Sequence, residues 1–420
     1  MPPYRDRTTW YLGLSAYWFA SSFKWFLLLL IIIPSQVEKV VPGGEKSTYW
    51  GMVFWIGAIW AMVGPSLFGF ISDRLGLRGG KRGVFVGIGA SLTVVALMFL
   101  SGAVELWQIV LGYLLLQFAD DVGTGPYSAL IPELVPENRR GRASGVMGFL
   151  NLTGQLAVGI TGLALGGDVK QIYIAIAAVN LAGAIVTMIS IRGAVPMTAA
   201  HVEKRSLAPG EFVRAWIEPW KTPDFRWVWF TRFLNALGFY LVVTYLKFYL
   251  GDVIVVYSFF GVVTFSSSAT ATNVLALTLS LVGAIGAYVL GKQADVIGRK
   301  RTIFAAGIVM FAALVPAALV SHYTAIWLLA AVFAFGYGGF LSADWALVAD
   351  VLPNKDEMGK DMGVWQMSIS SVQLLAGAAG WLIDQINRVE FGWGYRSAFL
   401  LASVAFLAST TLVRKIRGST

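Results

Sequence analysis

Cysteine is absent from the 420 residues, and histidine occurs only as His201 and His322. The first absence excludes disulfides and thiolate metal sites, and the second leaves too little imidazole for a histidine metal cluster. Charge is scarce as well. Only 13% of residues are Asp, Glu, Lys or Arg, against about 25% in soluble chains. The apolar segments carry no nucleotide-binding glycine loop and no nucleophile–histidine pair. An enzyme is not expected, nor any cofactor or metal.

What remains is apolar. Hydrophobic residues make up 57% of the chain and mean hydropathy is +0.69. Apolar stretches of about 20 residues recur, each long enough to cross the roughly 30 Å of a bilayer's hydrocarbon. They read as twelve transmembrane helices, near 10–33, 47–71, 83–102, 106–131, 143–165, 170–191, 227–250, 268–290, 302–321, 324–350, 362–385 and 396–413. The first is too long for a cleaved signal sequence and carries Lys24 in its middle.

Placing both termini inside puts 24 of the 32 lysines and arginines in inner segments. The outer loops then hold Lys39, Lys46, Lys170, Arg388 and Arg396, and the spans hold Lys24, Arg232 and Lys247. This positive-inside bias sets a topology with cytoplasmic termini and accounts for the net charge of +9 without a nucleic-acid partner. The expected home is a cell (inner) membrane, with the lipid bilayer as partner.

The chain also repeats itself. Gly69-Phe-Ile-Ser-Asp73-Arg74-Leu-Gly76 and Gly291-Lys-Gln-Ala-Asp295-Val-Ile-Gly298 share the pattern G-x-x-x-D-x-x-G. Basic clusters follow, Arg78/Lys81/Arg82 in one copy and Arg299/Lys300/Arg301 in the other. The ends of helices 4 and 10 match too: Ala129-Leu130-Ile-Pro132-Glu133-Leu-Val-Pro136 aligns with Ala346-Leu347-Val-Ala-Asp350-Val-Leu-Pro353 at an offset of 217, beside 222 for the loops. Two homologous six-helix bundles follow, over 1–192 and 226–420. The linker over 193–225 contains Phe212, Trp216 and Trp220 at every fourth position, which suits either a helix lying in the interface or an ordered linker.

In these repeats the chain resembles the major facilitator superfamily, whose signature loop joins helices 2 and 3. The first copy departs by delaying its basic cluster past Leu77, and the second has Val296 where a basic residue is usual. Arg232-Phe-Leu-Asn-Ala-Leu-Gly238-Phe-Tyr240 and Gly125-Pro-Tyr-Ser-Ala-Leu-Ile-Pro-Glu133-Leu-Val-Pro136 are similar to the sugar:cation symporter branch, which groups glycoside and sucrose-type carriers. The resemblance implies an all-α membrane fold of two pseudo-symmetric bundles and a monomer.

The loop residues suggest a gate. Asp73 and Asp295 can accept from the N–H groups of a neighbouring helix start. Glu133 and Asp350 can pair with Arg74/Arg78 and Arg299. Contacts that latch in one state and break in another make a bistable element, and the resemblance implies the same role for Gly69, Gly76, Gly291 and Gly298. Static loops that merely obey the positive-inside rule are the plainer alternative.

Charges inside spans cost on the order of 3 kcal/mol each on insertion scales and usually face a partner or a water-filled cavity. At about 1.5 Å per residue, Lys24 lies about 21 Å along helix 1, and Asp120 and Asp121 lie about 15–17 Å above the inner end of helix 4. A pair between Lys24 and one of these acids is feasible, as is Arg232 with Asp344 on helices 7 and 10. Adjacent carboxylates point about 100° apart on a helix, so one can face Lys24 while the other faces the cavity and exchanges a proton or binds sodium. The same pairs could equally serve helix packing alone. Lys247, near the outer end of helix 7, is expected to snorkel. Helix 2 has no acid between Trp50 and Ile71, so the sodium route of the symporters is missing and proton coupling is favoured over sodium.

A sugar needs hydrogen bonds to its hydroxyls and aromatic rings against its C–H face, in a cavity between the bundles. Tyr17, Trp18, Gln117, Asn151, Gln155, Asn235, Tyr240, Trp345, Trp365, Gln366 and Gln373 supply that chemistry. Glycines within spans, Gly154, Gly283, Gly286 and Gly336 among them, read as packing positions. The sequence thus points to a secondary transporter of a small polar solute, a sugar or glycoside, with proton coupling. The alternatives are an exporter of amphipathic organic solutes and a non-transporting receptor or assembly factor on the same fold.

Overall fold

The computed structural model describes residues 7–75, 77, 79–136, 140–165, 168–195, 217–351 and 358–417. Gly76 and Arg78 lie outside that set, as do the side chains of Asp73, Arg74, Asp295, Trp345, Asp350 and Gln366, and the residues Phe212 and Trp216.

Twelve long helices run through the described residues. They are α1 (Thr8–Val40), α2 (Lys46–Arg74), α3 (Gly83–Ser101), α4 (Leu106–Tyr127), α5 (Arg140–Ala164), α6 (Val169–Ile191), α7 (Pro223–Tyr249), α8 (Ser268–Ile297), α9 (Arg299–Leu319), α10 (Tyr323–Val351), α11 (Met358–Val389) and α12 (Trp393–Leu412). Side chains that would be costly in water lie exposed along them, including Val95, Ile160, Ile189, Ile285 and Val404. A membrane solvates such a surface, and the chain is a multi-pass membrane protein.

Local chemistry sets several boundaries. Glu105 and Gln108 form a reciprocal capping box at the start of α4. Asp168 accepts from Gln171 N to open α6, and Ser267 accepts from Thr270 N to open α8. Two ends differ from expectation. Helix α1 was expected to stop at 33, before Pro34. Instead Leu28–Ile32 widen into a π-helical turn that tolerates the missing proline N–H, and helix resumes over Ile33–Val40. In the opposite sense, α4 ends at Tyr127, and a separate short turn, Leu130–Leu134, follows.

The chain divides into two compact units, one of Met1–Pro42 with Ile56–His201, the other of Gly43–Trp55 with Val202–Thr420. The first third of α2 therefore groups with the second unit, not with the first six helices. Within the first unit α1 packs on α5 and α6, and α3 packs on α4 and α6. Within the second, α7 packs on α11 and α12, and α9 packs on α10 and α12. These are the same pairings advanced by six helices, as duplication requires.

One close contact makes the equivalence atomic. A side chain at Gly125 would approach Pro65 O to 2.5 Å and Gly69 N to 3.1 Å, so α4 and α2 touch through glycine. In the second unit, Gly291 faces Ser342 Oγ at what would be 3.2 Å. Gly291 and Ser342 are the repeat partners of Gly69 and Gly125 at offsets of 222 and 217.

Candidate solute and coupling site

Within the first unit, α1 carries Lys24 to the side of α4. The ammonium is wholly buried and bonds to Asp120 Oδ1. Trp25 Nε1 donates to the other oxygen of Asp120 at 2.6 Å, and the Trp25 ring lies 5.1 Å from the ammonium. Both oxygens of Asp120 and the charge of Lys24 are thereby satisfied inside the hydrocarbon.

Asp121 is placed differently. It is 2% exposed, and Gln117 one turn away reaches its two oxygens at 3.3 and 3.4 Å. Gly64 of α2 leaves the space its carboxylate fills, since a methyl there would collide with Oδ2 and approach Trp60 Nε1. Asp120 meets a cation and Asp121 meets a neutral amide.

Toward the end of the helices that bears the G-x-x-x-D-x-x-G loops, aromatic rings take over. Trp18 stacks on Tyr127 at 6.1 Å and 13°, and Tyr17 meets the same ring edge-on at 5.4 Å. The Tyr17 hydroxyl is buried with no hydrogen-bond partner among the described residues. Asn151 donates to Ser22 Oγ at 2.6 Å and accepts from Gln155 at 2.9 Å, joining α5 to α1.

In the second unit Arg232 Nη1 bonds to Asp344 Oδ2 at 2.5 Å, and its guanidinium carbon lies 3.5 Å from the centre of the Trp365 ring. Asp344 Oδ1 and Asn235 Nδ2 are buried with no partner among the described residues. Gln373 donates to the Tyr240 hydroxyl at 3.0 Å. Tyr337, which the sequence analysis passed over, stacks on Phe239 at 4.4 Å and 5°.

At the loop end of the first unit, Glu133 is held by Arg82; the expected partners Arg74 and Arg78 lie outside the described side chains. Arg82 Nη2 and Nε donate to its two oxygens at 2.5 and 2.9 Å, and Gly79 N adds a third bond at 2.8 Å. The reason is a 3-10 turn over Gly79–Arg82, entered through Gly79 at φ +55°, that folds Arg82 back under the loop. There it also donates to Ser72 Oγ at 3.0 Å. In the second copy Gly298, at φ +92°, separates α8 from α9, which starts at Arg299. Asp295 and Asp350 fall outside the described side chains, so the second acid latch has no geometry here.

At the opposite end lies a polar network that the sequence analysis did not single out. Lys46 pairs with Asp252 at 2.7 Å, and the Tyr395 hydroxyl donates to the same carboxylate at 2.8 Å. Thr48 N donates to Asp384 Oδ2 at 2.6 Å, and Arg388 reaches Glu45 at 2.6 Å. Asp384 sits at the positive end of the α2 dipole. Lys247 is also buried here, 4% exposed and 5.4 Å from the Phe248 ring, rather than snorkelling outward. The missed signal was the run Glu45-Lys46-Ser47-Thr48, ordinary in isolation.

A sequence profile of the Major Facilitator Superfamily matches residues 3–159, 52–256 and 253–418. The chain belongs to that superfamily. No curated protein matches it in sequence. Two solved structures share its fold at 13% identity. One is a bacterial homologue of the human lysosomal transporter Spinster, in an inward-facing and unoccupied conformation, with TM-score 0.67 over 98% of this chain and 96% of that one. The other is a point mutant of the nucleoside transporter NupG, with TM-score 0.69 over 97% and 99%.

A member of the Major Facilitator Superfamily is a transporter of small molecules in a bilayer, not an enzyme. In this member the residues foreseen from sequence gather into three described groups: Lys24, Asp120, Asp121 and Gln117; Tyr17 and Trp18 around Tyr127; and Arg232, Asp344 and Trp365, with Tyr240 and Gln373 bonded to each other nearby in sequence. Trp25, Trp60 and Gly64 complete the first of these groups, and Arg82 holds Glu133 apart from them. Only Arg82 had a sequence signal, its place in the first basic cluster.

Proposed function

We propose that this transporter moves a small hydroxylated solute, a sugar or glycoside, and couples the movement to protons through Asp121. The observation that carries the reading is the unlike treatment of two adjacent buried acids. Asp120 has its charge matched by Lys24 and Trp25. Among the described residues Asp121 is met by neutral donors, the Gln117 amide at 3.3 and 3.4 Å and the Trp60 indole. A negative charge at such a place costs on the order of 3 kcal/mol, and a bound proton removes that cost. The neutralised pair next door holds the helix while Asp121 changes state. With no acid on α2 between Trp50 and Ile71, a second carboxylate for sodium is missing from that helix.

The solute assignment rests on ring and hydroxyl chemistry: Trp18, Tyr127, Tyr17 and Gln117 in the first unit, Tyr240, Gln373 and Asn235 in the second. Rings grip the C–H face of a pyranose, and the amides and phenols bond its hydroxyls. The Glu133–Arg82 contact and the Lys46–Asp252–Tyr395 network serve as latches at the two ends of the helices, with the basic loops cytoplasmic and the protein a monomer in the cell membrane. Purified protein in proteoliposomes, offered radiolabelled sugars, glycosides and nucleosides with and without an inward proton gradient, tests this. Gradient-driven accumulation of a hydroxylated solute is expected. Accumulation of amphipathic cations alone would favour the exporter reading instead.

A further inference from the structure

The connection between α7 and α8 has an unusual composition for a segment outside the spans. From Val253 to Ser267 it contains no charged residue, and it includes Val253-Ile-Val-Val256, Phe259-Phe260 and Val262-Val263. It folds rather than loops. Strands β1 (Ser258–Phe259) and β2 (Val263–Thr264) pair antiparallel, with Phe259 opposite Val263. Phe260 and Gly261 turn the chain at φ +52° and +73°, a tight turn with both central residues left-handed.

One face of this hairpin is fastened down. Phe259 meets Trp327 at 5.1 Å, and Phe265 meets Tyr323 at 5.6 Å. Thr324 Oγ1 accepts from Phe260 N and donates to Ser258 O. Behind it a cleft of about 450 Å3 is lined in part by Ser258, Ser321, His322 and Thr324. The other face is bare: Val255, Val256 and Phe260 are exposed, and Val262 is 84% exposed.

We propose that this bare face lies in the headgroup–acyl boundary of the bilayer and anchors the ends of α7, α8 and α10 there. The occupant is lipid because the hairpin joins spans that end beside it and packs on Trp327 of α10, whose neighbours in the span, Leu328 and Val332, are exposed and apolar. Apolar side chains outward, aromatic rings beneath and a polar cleft behind match the gradient of an interface. An aqueous loop would gain nothing from exposing these four apolar side chains, and Val263 with them, without a charge. A second element adds weight. Val255, β-branched, sits at φ +57° in a three-residue turn closed by Val256 N on Ile254 O at 2.5 Å. That is a strained conformation held between the end of α7 and the hairpin.

The chain has no cysteine, so single cysteines can be labelled without background. Val262→Cys and Val256→Cys, each carrying an environment-sensitive fluorophore in proteoliposomes, would be compared with Val389→Cys, 89% exposed between Arg388 and Glu390. Both hairpin positions should emit at shorter wavelength than the control. They should be quenched at least twofold more by headgroup-proximal nitroxide lipids and at least twofold less by aqueous iodide. Iodide quenching equal to that of the control would overturn the proposal. So would shielding from iodide and nitroxide lipid alike, which would mean that a second copy of the chain covers the face. The readout needs no transported solute, so its failure is separable from failure of the transport reading.

Discussion

Both units bury an ion pair between their first and fourth helices, yet at different levels. The offset of 217 that aligns α4 with α10 places Tyr337 opposite Asp120 and Tyr127 opposite Asp344. Asp344 thus lies seven residues, about 10 Å along the helix, nearer the loop end of its repeat than Asp120 does in its own. Where one unit has an acid, the other has a tyrosine ring stacked on a neighbour: Tyr127 on Trp18, and Tyr337 on Phe239. Duplication preserved the scaffold, as the Gly69–Gly125 and Gly291–Ser342 contacts attest, and freed the charges to move.

The largest effect is expected from separating the pair in the first unit. Lys24→Met leaves Asp120 buried with Trp25 as its remaining partner, a change worth about 3–5 kcal/mol. Thermal unfolding in detergent should show little folded protein, and adding Asp120→Asn should recover much of the loss. If the single variant were as stable as the parent, the pair would not be holding the helices. Next comes the shared helix contact. Gly125→Ala forces a methyl against Pro65 O and should destabilise by about 1–3 kcal/mol. Ser342→Ala, at the matching position where a side chain is already accommodated, should stay within about 0.5 kcal/mol. Equal effects would dissolve the equivalence drawn between the repeats. The smallest difference is chemical. Arg232→Lys keeps the charge for Asp344 but loses the flat stack on Trp365, about 1 kcal/mol, read as a modest fall in unfolding temperature.

Much of this was legible in the chain. Apolar runs of bilayer length gave the twelve helices because nothing else in the sequence competes with so strong a signal. The two repeat offsets gave the duplication. Rise per residue was enough to bring Lys24 level with the acids of α4, but not to say which acid it takes, because a lysine stem reaches either; the Trp25 indole decides for Asp120. The end of α1 was set seven residues early, since a π-helical turn lets the helix continue past Pro34 to Val40. The Arg82–Glu133 bond was not foreseen, because the turn at Gly79–Arg82 reverses the chain and linear spacing pointed to Arg74 and Arg78. Lys247 was read as surface-seeking from its position near a helix end, but its side chain is buried at 4% exposure. The hairpin over 258–264 was invisible as structure because its apolar run has neither strand alternation nor span length.

In the proposed mechanism Asp121 is the acid that changes charge during transport while Asp120 remains locked. The direct measurement is solute accumulation in proteoliposomes under an imposed proton gradient, with Asp121→Asn compared to the parent and with counterflow measured in the same vesicles. The expected result is counterflow retained and gradient-driven accumulation lost. Full accumulation by Asp121→Asn would contradict it.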